Sequence, residues 1–346
     1  MVNGATWREV ADLARRAEAA GIGGLVFTEI GGPPWMSLAA AAMATSSLRL
    51  STGIAVAFAR SPMVTAGAAW EIAANSQGRF RLGLGSQVRA HVERRYGAPF
   101  TPPGPRLRDY VEAVRACFRA FRGEASLDHH GRYYRLSLLP REWCPAPHPY
   151  GDVPIDVAAV NTWMCRMAGE VADGVHVHPL HSVHYLRNRL LPAVREGAAS
   201  VGRSAGDVEL TVPVFAVVGD TAAQRAGVLA RARQQVAYYG STRAYAFQFD
   251  DLGFHGTSAA LNERLKAGDH EGMSAIVTDE MLEHFVVVGT WDTLADALVA
   301  RYAGIATRLV MYLAHEQVRQ DPAAVSRWGE VAKAVRLAGG QVNAKT

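Results

Sequence analysis

The run Arg79-Phe80-Arg81-Leu82-Gly83-Leu84-Gly85-Ser86 decides how this chain is read. Residues 80–85 form a short, mostly apolar stretch closed by the polar pair Ser86-Gln87. A parallel strand covered by helices on both faces has that composition, because neither face meets water. Upstream, residues 66–75 carry apolar side chains at helical spacing and end near Gly78. Downstream, residues 106–121 form a strongly amphipathic helix. The local unit is therefore helix, strand, helix.

The same unit recurs in both directions. Thr6-Trp7-Arg8-Glu9 is a capping box, and Val10, Leu13, Ala14 and Ala17 follow at helical spacing before Gly21. Strands are expected at 25–30, 48–56, 80–85, 155–160, 174–178, 209–218 and 308–313. Further helices are expected at 34–44, 164–171, 183–199, 221–239, 292–303 and 323–337, with Pro192 kinking the one that holds it. Such alternation builds a parallel barrel or a doubly wound sheet. A (β/α)8 barrel needs eight strands, and seven are evident here. The absent one should precede the first helix, where residues 1–5 leave room for a vestige at most. The connections 87–106, 127–154 and 239–285 are long, and such loops commonly carry function.

The 346 residues are 49% hydrophobic and 20% charged, which supports a large core and excludes global disorder. The expected organisation is one domain over residues 1–346. Apolar stretches such as 212–218 are too short for a bilayer span, which needs ~20 residues. Met1-Val2-Asn3-Gly4 lacks a secretory signal pattern. These features predict a soluble, cytoplasmic protein with no membrane role. The net charge of +4 rests almost wholly on arginine, with Lys266, Lys333 and Lys345 as the three lysines. The positive charges alternate with Asp and Glu on helical segments, and no basic stripe with interleaved aromatics offers a nucleic-acid surface. Cys117, Cys144 and Cys165 include no CxxC pair, so neither a zinc site nor a disulfide framework is expected.

Barrel active sites lie at the C-terminal ends of the strands. That rule selects Thr28 and Glu29, then 53–57, then Ser86 and Gln87, then Val160, Asn161 and Thr162, then His178, and finally His315 and Glu316. Glu29 ends an apolar strand, where a carboxylate is costly unless partnered or useful. His176 and His178 share a strand face at spacing two, which admits a zinc reading. No lysine lies in any strand and no further His or Asp cluster ends another one, so no metal site is assigned. The pair Gly83-Leu84-Gly85 lacks the third glycine and the acidic residue of a dinucleotide fingerprint. It suits a close backbone approach by a ring or a loop.

Several segments together resemble the luciferase-like monooxygenase superfamily: the run 79–86, Ala168-Gly169-Glu170-Val171-Ala172-Asp173-Gly174, and Ala19-Ala20-Gly21. Residues 55–62, 85–95 and Tyr239-Gly240-Ser241-Thr242 are similar to its branch that uses the deazaflavin coenzyme F-420. The resemblance spans nearly the whole chain apart from the first strand. It implies a TIM-type (β/α)8 barrel, luciferase-like, with a missing or vestigial first strand and long loop insertions. It also implies a ring held at the barrel mouth over a bulge with a non-proline cis peptide, here Gly53-Ile54, with Ala55 beside it. The cofactor phosphate would meet the turn after the fifth strand. Here that turn is Ala158-Ala159-Val160-Asn161-Thr162, without the glycines and proline of relatives, and Trp163 follows it. Glu29 and His178 match family pocket positions.

The function so implied is an oxidoreductase that passes hydride between coenzyme F-420 and a small organic substrate, with Glu29 or His178 handling the proton. The alternatives are an FMN-dependent monooxygenase and a cofactor-free barrel put to another use. A homodimer is expected through the helices at 34–44 and 66–75, with the apolar run 38–43 as its surface.

Overall fold

A computed structural model describes residues 1–343, with side chains described through residue 339. The chain forms two compact units. The first comprises Met1–His176 and Ala193–Glu209, and the second comprises Val177–Pro192 and the chain from Leu210 onward.

In the first unit the strands are β1 (Gly24–Phe27), β2 (Arg49–Thr52), β3 (Ala55–Val56), β4 (Phe80–Gly85), β5 (Ile155–Ala159) and β6 (Gly174–Val177), the last as far as His176. Neighbours run in the order β1, β2, β4, β5, β6, with β3 also on β4. The pairs that carry a register are parallel. Leu50, Phe80, Leu82, Leu84, Ile155, Val157 and Val175 are all buried in strands, as a sheet covered on both faces requires. The expected first strand survives as one residue. Val2 bridges Phe27, donating to Val26 O at 2.8 Å and accepting from Thr28 N at 3.2 Å.

The motifs that carried the family resemblance hold this unit together where its strands begin. Arg79 donates to the carbonyls of Ala42, Thr45 and Leu48, closing the C-terminal end of helix Trp35–Ala44. Arg81 forms an ion pair with buried Asp156 at 2.6 Å, another with Glu209 at 2.6 Å, and donates to Asp173 O at 3.0 Å. Asp173 in turn accepts from Ile155 N at 2.7 Å and Arg115 Nη2 at 2.8 Å. Gly174 has no room for a side chain, since a Cβ would lie 2.3 Å from Asp156 Oδ1. Gly169 lets helix Thr162–Val171 meet the next helix, because a Cβ there would lie 2.2 Å from Val194 O.

In the second unit β7 (Glu209–Val218) is the long central strand, counted from Leu210. β8 (Val286–Gly289) pairs with its residues 215–218 and β9 (Arg308–Met311) with residues 211–214, both parallel. The seven expected strands become nine here, because the expected strand at 48–56 divides into β2 and β3 and because β8 directly follows the stretch read as an insertion. That stretch has regular structure of its own. It folds as helices Phe247–Asp250, Thr257–Lys266, His270–Ile276 and Asp279–Glu283. Phe249, Leu261, Met273, Leu282 and Phe285 bury against Phe215, Val217 and Val236, so one core holds the whole stretch. Ahead of Pro192 the helix widens into a π turn at Leu186–Leu190, as expected near a residue that cannot donate a helical hydrogen bond.

The loop 127–154 of the first unit contains an unforeseen hairpin, His129–His130 against Arg135–Leu136. Buried Asp109 organises it, accepting from Tyr133 N at 2.5 Å and Tyr134 N at 3.2 Å and meeting His129 Nε2 at 2.7 Å. Cys117 and Cys165 are buried free thiols, and burial pushes the Cys117 thiol up to about 12.

Candidate functional site

The backbone between β2 and β3 is a bulge. Leu50 pairs with Phe80 and Ala55 with Leu84, so five steps on one strand match four on the other. The Gly53-Ile54 peptide inside it is cis. Before the bulge, Thr52 Oγ1 donates to Gly83 O at 2.8 Å and accepts from Gly83 N at 2.8 Å. A side chain thereby replaces the ladder partner that the bulge removes. A Cβ on Gly83 would lie 2.1 Å from Thr52 O, and one on Gly85 2.8 Å from Ile54 Cδ1. The Gly-x-Gly pair therefore admits the bulge and its isoleucine, which is the close approach expected of it.

After the bulge the chain is held by Glu29. Its Oε2 accepts from Val56 N at 2.7 Å and from Arg60 Nη1 at 3.0 Å. Arg60 Nη1 also donates to Val56 O at 3.2 Å, and Arg60 Nη2 binds Glu29 Oε1. Glu29 is buried and Arg60 exposes 15% of its side chain, so the ion pair compensates a carboxylate that would otherwise be costly there. The Arg60 guanidinium lies 5.6 Å from the centre of the Trp35 ring. Tyr96, from the loop 87–106, lies near Glu29; burial and the nearby carboxylate charge push its phenol above the usual value. Arg106 lies 4.2 Å over the Phe58 ring and donates to Tyr134 Oη at 2.8 Å, which ties the hairpin to the segment after the bulge.

The remaining sequence candidates of this unit stand at strand ends. Thr28 is half-buried and bonded to Val2. Ser86 is half-buried, and exposed Gln87 adopts a left-handed φ of 60°, a conformation that side chains take mainly where the fold enforces it. Val160 is half-buried, and Asn161 caps helix Thr162–Val171 by accepting from Met164 N at 2.9 Å. The amides of Thr162 and Trp163 remain as the first donors of that helix, where its positive end lies. The Trp163 indole rests on Gly104, where a Cβ would lie 2.3 Å from Trp163 Cζ3.

His176 and His178 occupy different settings. His176 is buried in β6 beneath the bulge. A Cβ on Gly53 would meet its Cε1 at 2.6 Å and Val26 Cγ1 at 2.3 Å. Burial lowers its pKa to about 4. His178 lies past the strand, in the second unit, half-buried between aromatic rings. Its Nδ1 accepts from Leu180 N at 3.1 Å, and its ring centre is 4.7 Å from those of both Tyr239 and Tyr245. Tyr239 and Tyr312 share a hydroxyl hydrogen bond in the same cluster. Among the described residues no group of three or more His, Cys, Asp or Glu is arranged to hold a metal ion.

Sequence reasoning passed over Arg60, Tyr96, Thr52 and the bulge-facing role of His176. Arg60 lay within a branch-like segment, yet its role depends on a carboxylate 31 residues away. For Thr52 nothing in the sequence marks the hydroxyl that replaces a ladder bond.

This is a parallel α/β protein whose first unit carries a bulge and a set of polar residues at strand ends. Residues 1–308 match the family model for luciferase-like monooxygenases, and the chain belongs to that family. An uncharacterized protein of Mycobacterium tuberculosis is 38% identical over 304 residues, covering 86% of this chain and 89% of the relative. A 5,10-methylenetetrahydromethanopterin reductase of Archaeoglobus fulgidus is 27% identical over 259 residues, 74% of each chain. The coenzyme F-420 dependent tetrahydromethanopterin reductase of Methanopyrus kandleri shares the fold with a TM-score of 0.73 at 20% identity, covering 88% of this chain and 89% of that one. The luciferase-like fold class expected from the sequence is thus the fold of the chain. No helix among the described residues is long and apolar enough to cross a membrane.

Proposed function

We propose that the protein is an oxidoreductase that exchanges hydride between the deazaflavin coenzyme F-420 and a small organic substrate. The observation that carries this reading is the backbone bulge at Gly53-Ile54, fixed on one side by Thr52 and on the other by Glu29 and Arg60. A flat ring needs a rigid, shallow backbone support, and this bulge supplies one. Ile54 and Ala55 would lie under the ring, with Thr28, Ser86 and Gln87 at its edges. The helix start at Asn161, Thr162 and Trp163 suits the phosphate, because backbone amides and the helix dipole favour an anion there. When bound, the cofactor supplies the hydride chemistry. The protein's own tasks are to orient the substrate and to handle one proton, which we assign to Glu29 or His178. The coenzyme F-420 dependent relative in Methanopyrus supports the choice of cofactor by analogy. We further propose a cytoplasmic homodimer acting on small molecules, without nucleic-acid or membrane partners.

Fluorescence titration with coenzyme F-420 and with FMN tests the reading. Tighter binding of coenzyme F-420 supports it. Tighter binding of FMN transfers the protein to flavin-dependent oxygenation, and binding of neither leaves a cofactor-free member of the family.

A further inference from the structure

We infer that Arg60 is a positioning residue for the ring-supporting bulge, acting with Glu29 as a side-chain substitute for a strand rung beside Val56. The inference rests on the reading that the cofactor ring sits on Gly53-Ile54. Buried backbone donors and acceptors must find partners. β1 stops at Phe27, whose carbonyl accepts from Gly53 N at 2.8 Å, so β1 serves the bulge only as far as residue 53. Three residues on, both polar groups of Val56 are taken by side chains. Its N–H goes to Glu29 at 2.7 Å and its carbonyl receives Arg60 at 3.2 Å. The same guanidinium grips both oxygens of Glu29. Each element of this arrangement orients the next. Arg60 fixes the carboxylate, the carboxylate fixes the amide, and the amide sets where the bulge ends.

The arrangement needs a guanidinium. Two donor nitrogens must reach two carboxylate oxygens while one of them also meets a carbonyl, which a planar fork achieves and an ammonium does not. Trp35 covers the guanidinium face and limits its rotation. Removing Arg60 would leave Glu29 buried without its counter-charge, so the carboxylate would turn toward water and release Val56.

The test combines hydrogen exchange of the cofactor-free protein with cofactor titration. In R60A the Val56 amide should exchange at least about tenfold faster, and the Kd for coenzyme F-420 should rise about tenfold or more, roughly 1.4 kcal/mol. R60K should behave like R60A. Millimolar guanidinium should restore slow exchange and tight binding to R60A, whereas ammonium should restore neither. E29Q, which keeps an acceptor for Val56 but loses the charge, should be intermediate. Unchanged exchange in R60A, or faster exchange with an unchanged Kd, would overturn the inference, as would full rescue by lysine. If the wild-type protein binds neither coenzyme F-420 nor FMN, the functional reading and the ring-supporting role of Arg60 fall together. If the wild type binds and only the exchange is unaltered in R60A, the functional reading stands and Arg60 alone loses its role.

Discussion

A Cβ on Gly53 would stand 2.6 Å from Cε1 of His176, so the imidazole leaves residue 53 no room for a side chain. Val26 Cγ1 crowds the same position more closely, at 2.3 Å. Gly53→Ala should therefore cost about 1–3 kcal/mol through overpacking, and Gly53→Val more. Cofactor affinity should fall with it, because the displaced segment is the proposed ring support. Adding Val26→Ala should return part of the stability, since the two sites share one space. Chemical denaturation of the single and double variants checks this. Strict additivity would mean that the backbone escapes the clash by another route.

The ion pair of Arg81 with Asp156 should matter for folding and not for the cofactor. Asp156 is buried, and removing one partner of such a pair leaves a charge in a poor medium. Asp156→Ala is expected to destabilise by about 3–5 kcal/mol. The pair sits at the beginning of β4 and β5, away from the bulge end, so Kd for the cofactor should stay within about twofold in protein that remains folded. A large loss of affinity at full stability would contradict that division.

Acid should unfold the protein partly through two histidines. His176 and His181 are both depressed to about 4 from 6.5 by burial. For His176 the positive amino terminus adds repulsion, and for His181 hydrogen bonds to the backbone of His178 and Pro179 work the other way. The unfolded chain then takes protons before the folded one. No stability is lost above pH 6.5, and the loss grows as the pH falls toward 4, with a slope of up to ~1.4 kcal/mol per pH unit for each histidine. Urea titrations between pH 4.5 and 7 should show this slope reduced by His181→Asn. An unchanged slope would assign the acid sensitivity to other groups.

Association is expected through helices Trp35–Ala44 and Pro62–Asn75. Of the apolar run 38–43, Leu38, Ala41 and Ala42 are buried inside the unit, which leaves Met43 at the surface. Met36, Met43 and Val64 are the exposed apolar side chains, at 51%, 87% and 59%. Light scattering at low micromolar concentration should give a dimer, and Met43→Glu with Val64→Glu should give a monomer. A wild-type monomer would remove this proposal.

Strand positions were legible because burial on both faces makes an apolar run stand out, as at 80–85 and 209–218. β8 escaped notice because four residues, Val286–Gly289, are short and follow directly on a helical stretch. The hairpin at 129–136 is held by Asp109, some twenty residues upstream, and by no local pattern. The cis bulge was reachable only through the family resemblance, since Ser51-Thr52-Gly53-Ile54 has no intrinsic mark of it. Glu29 was legible as a buried acid at a strand end. Its partner was not, because ion pairs between distant segments leave no periodicity.

The bonds of Arg81 to Asp156 and to the Asp173 carbonyl also bear on how proteins of this kind are recognised. Arg81 and Asp173 belong to the runs by which the chain resembles the family, and both sit where the strands enter the sheet. Such letters identify a way of building a scaffold. They carry little information about what is done at the strand exits. Two proteins sharing that signature can therefore differ in cofactor and substrate, and it is the exit residues, Glu29, Gln87 and Asn161 among them, whose comparison would sort one activity from another.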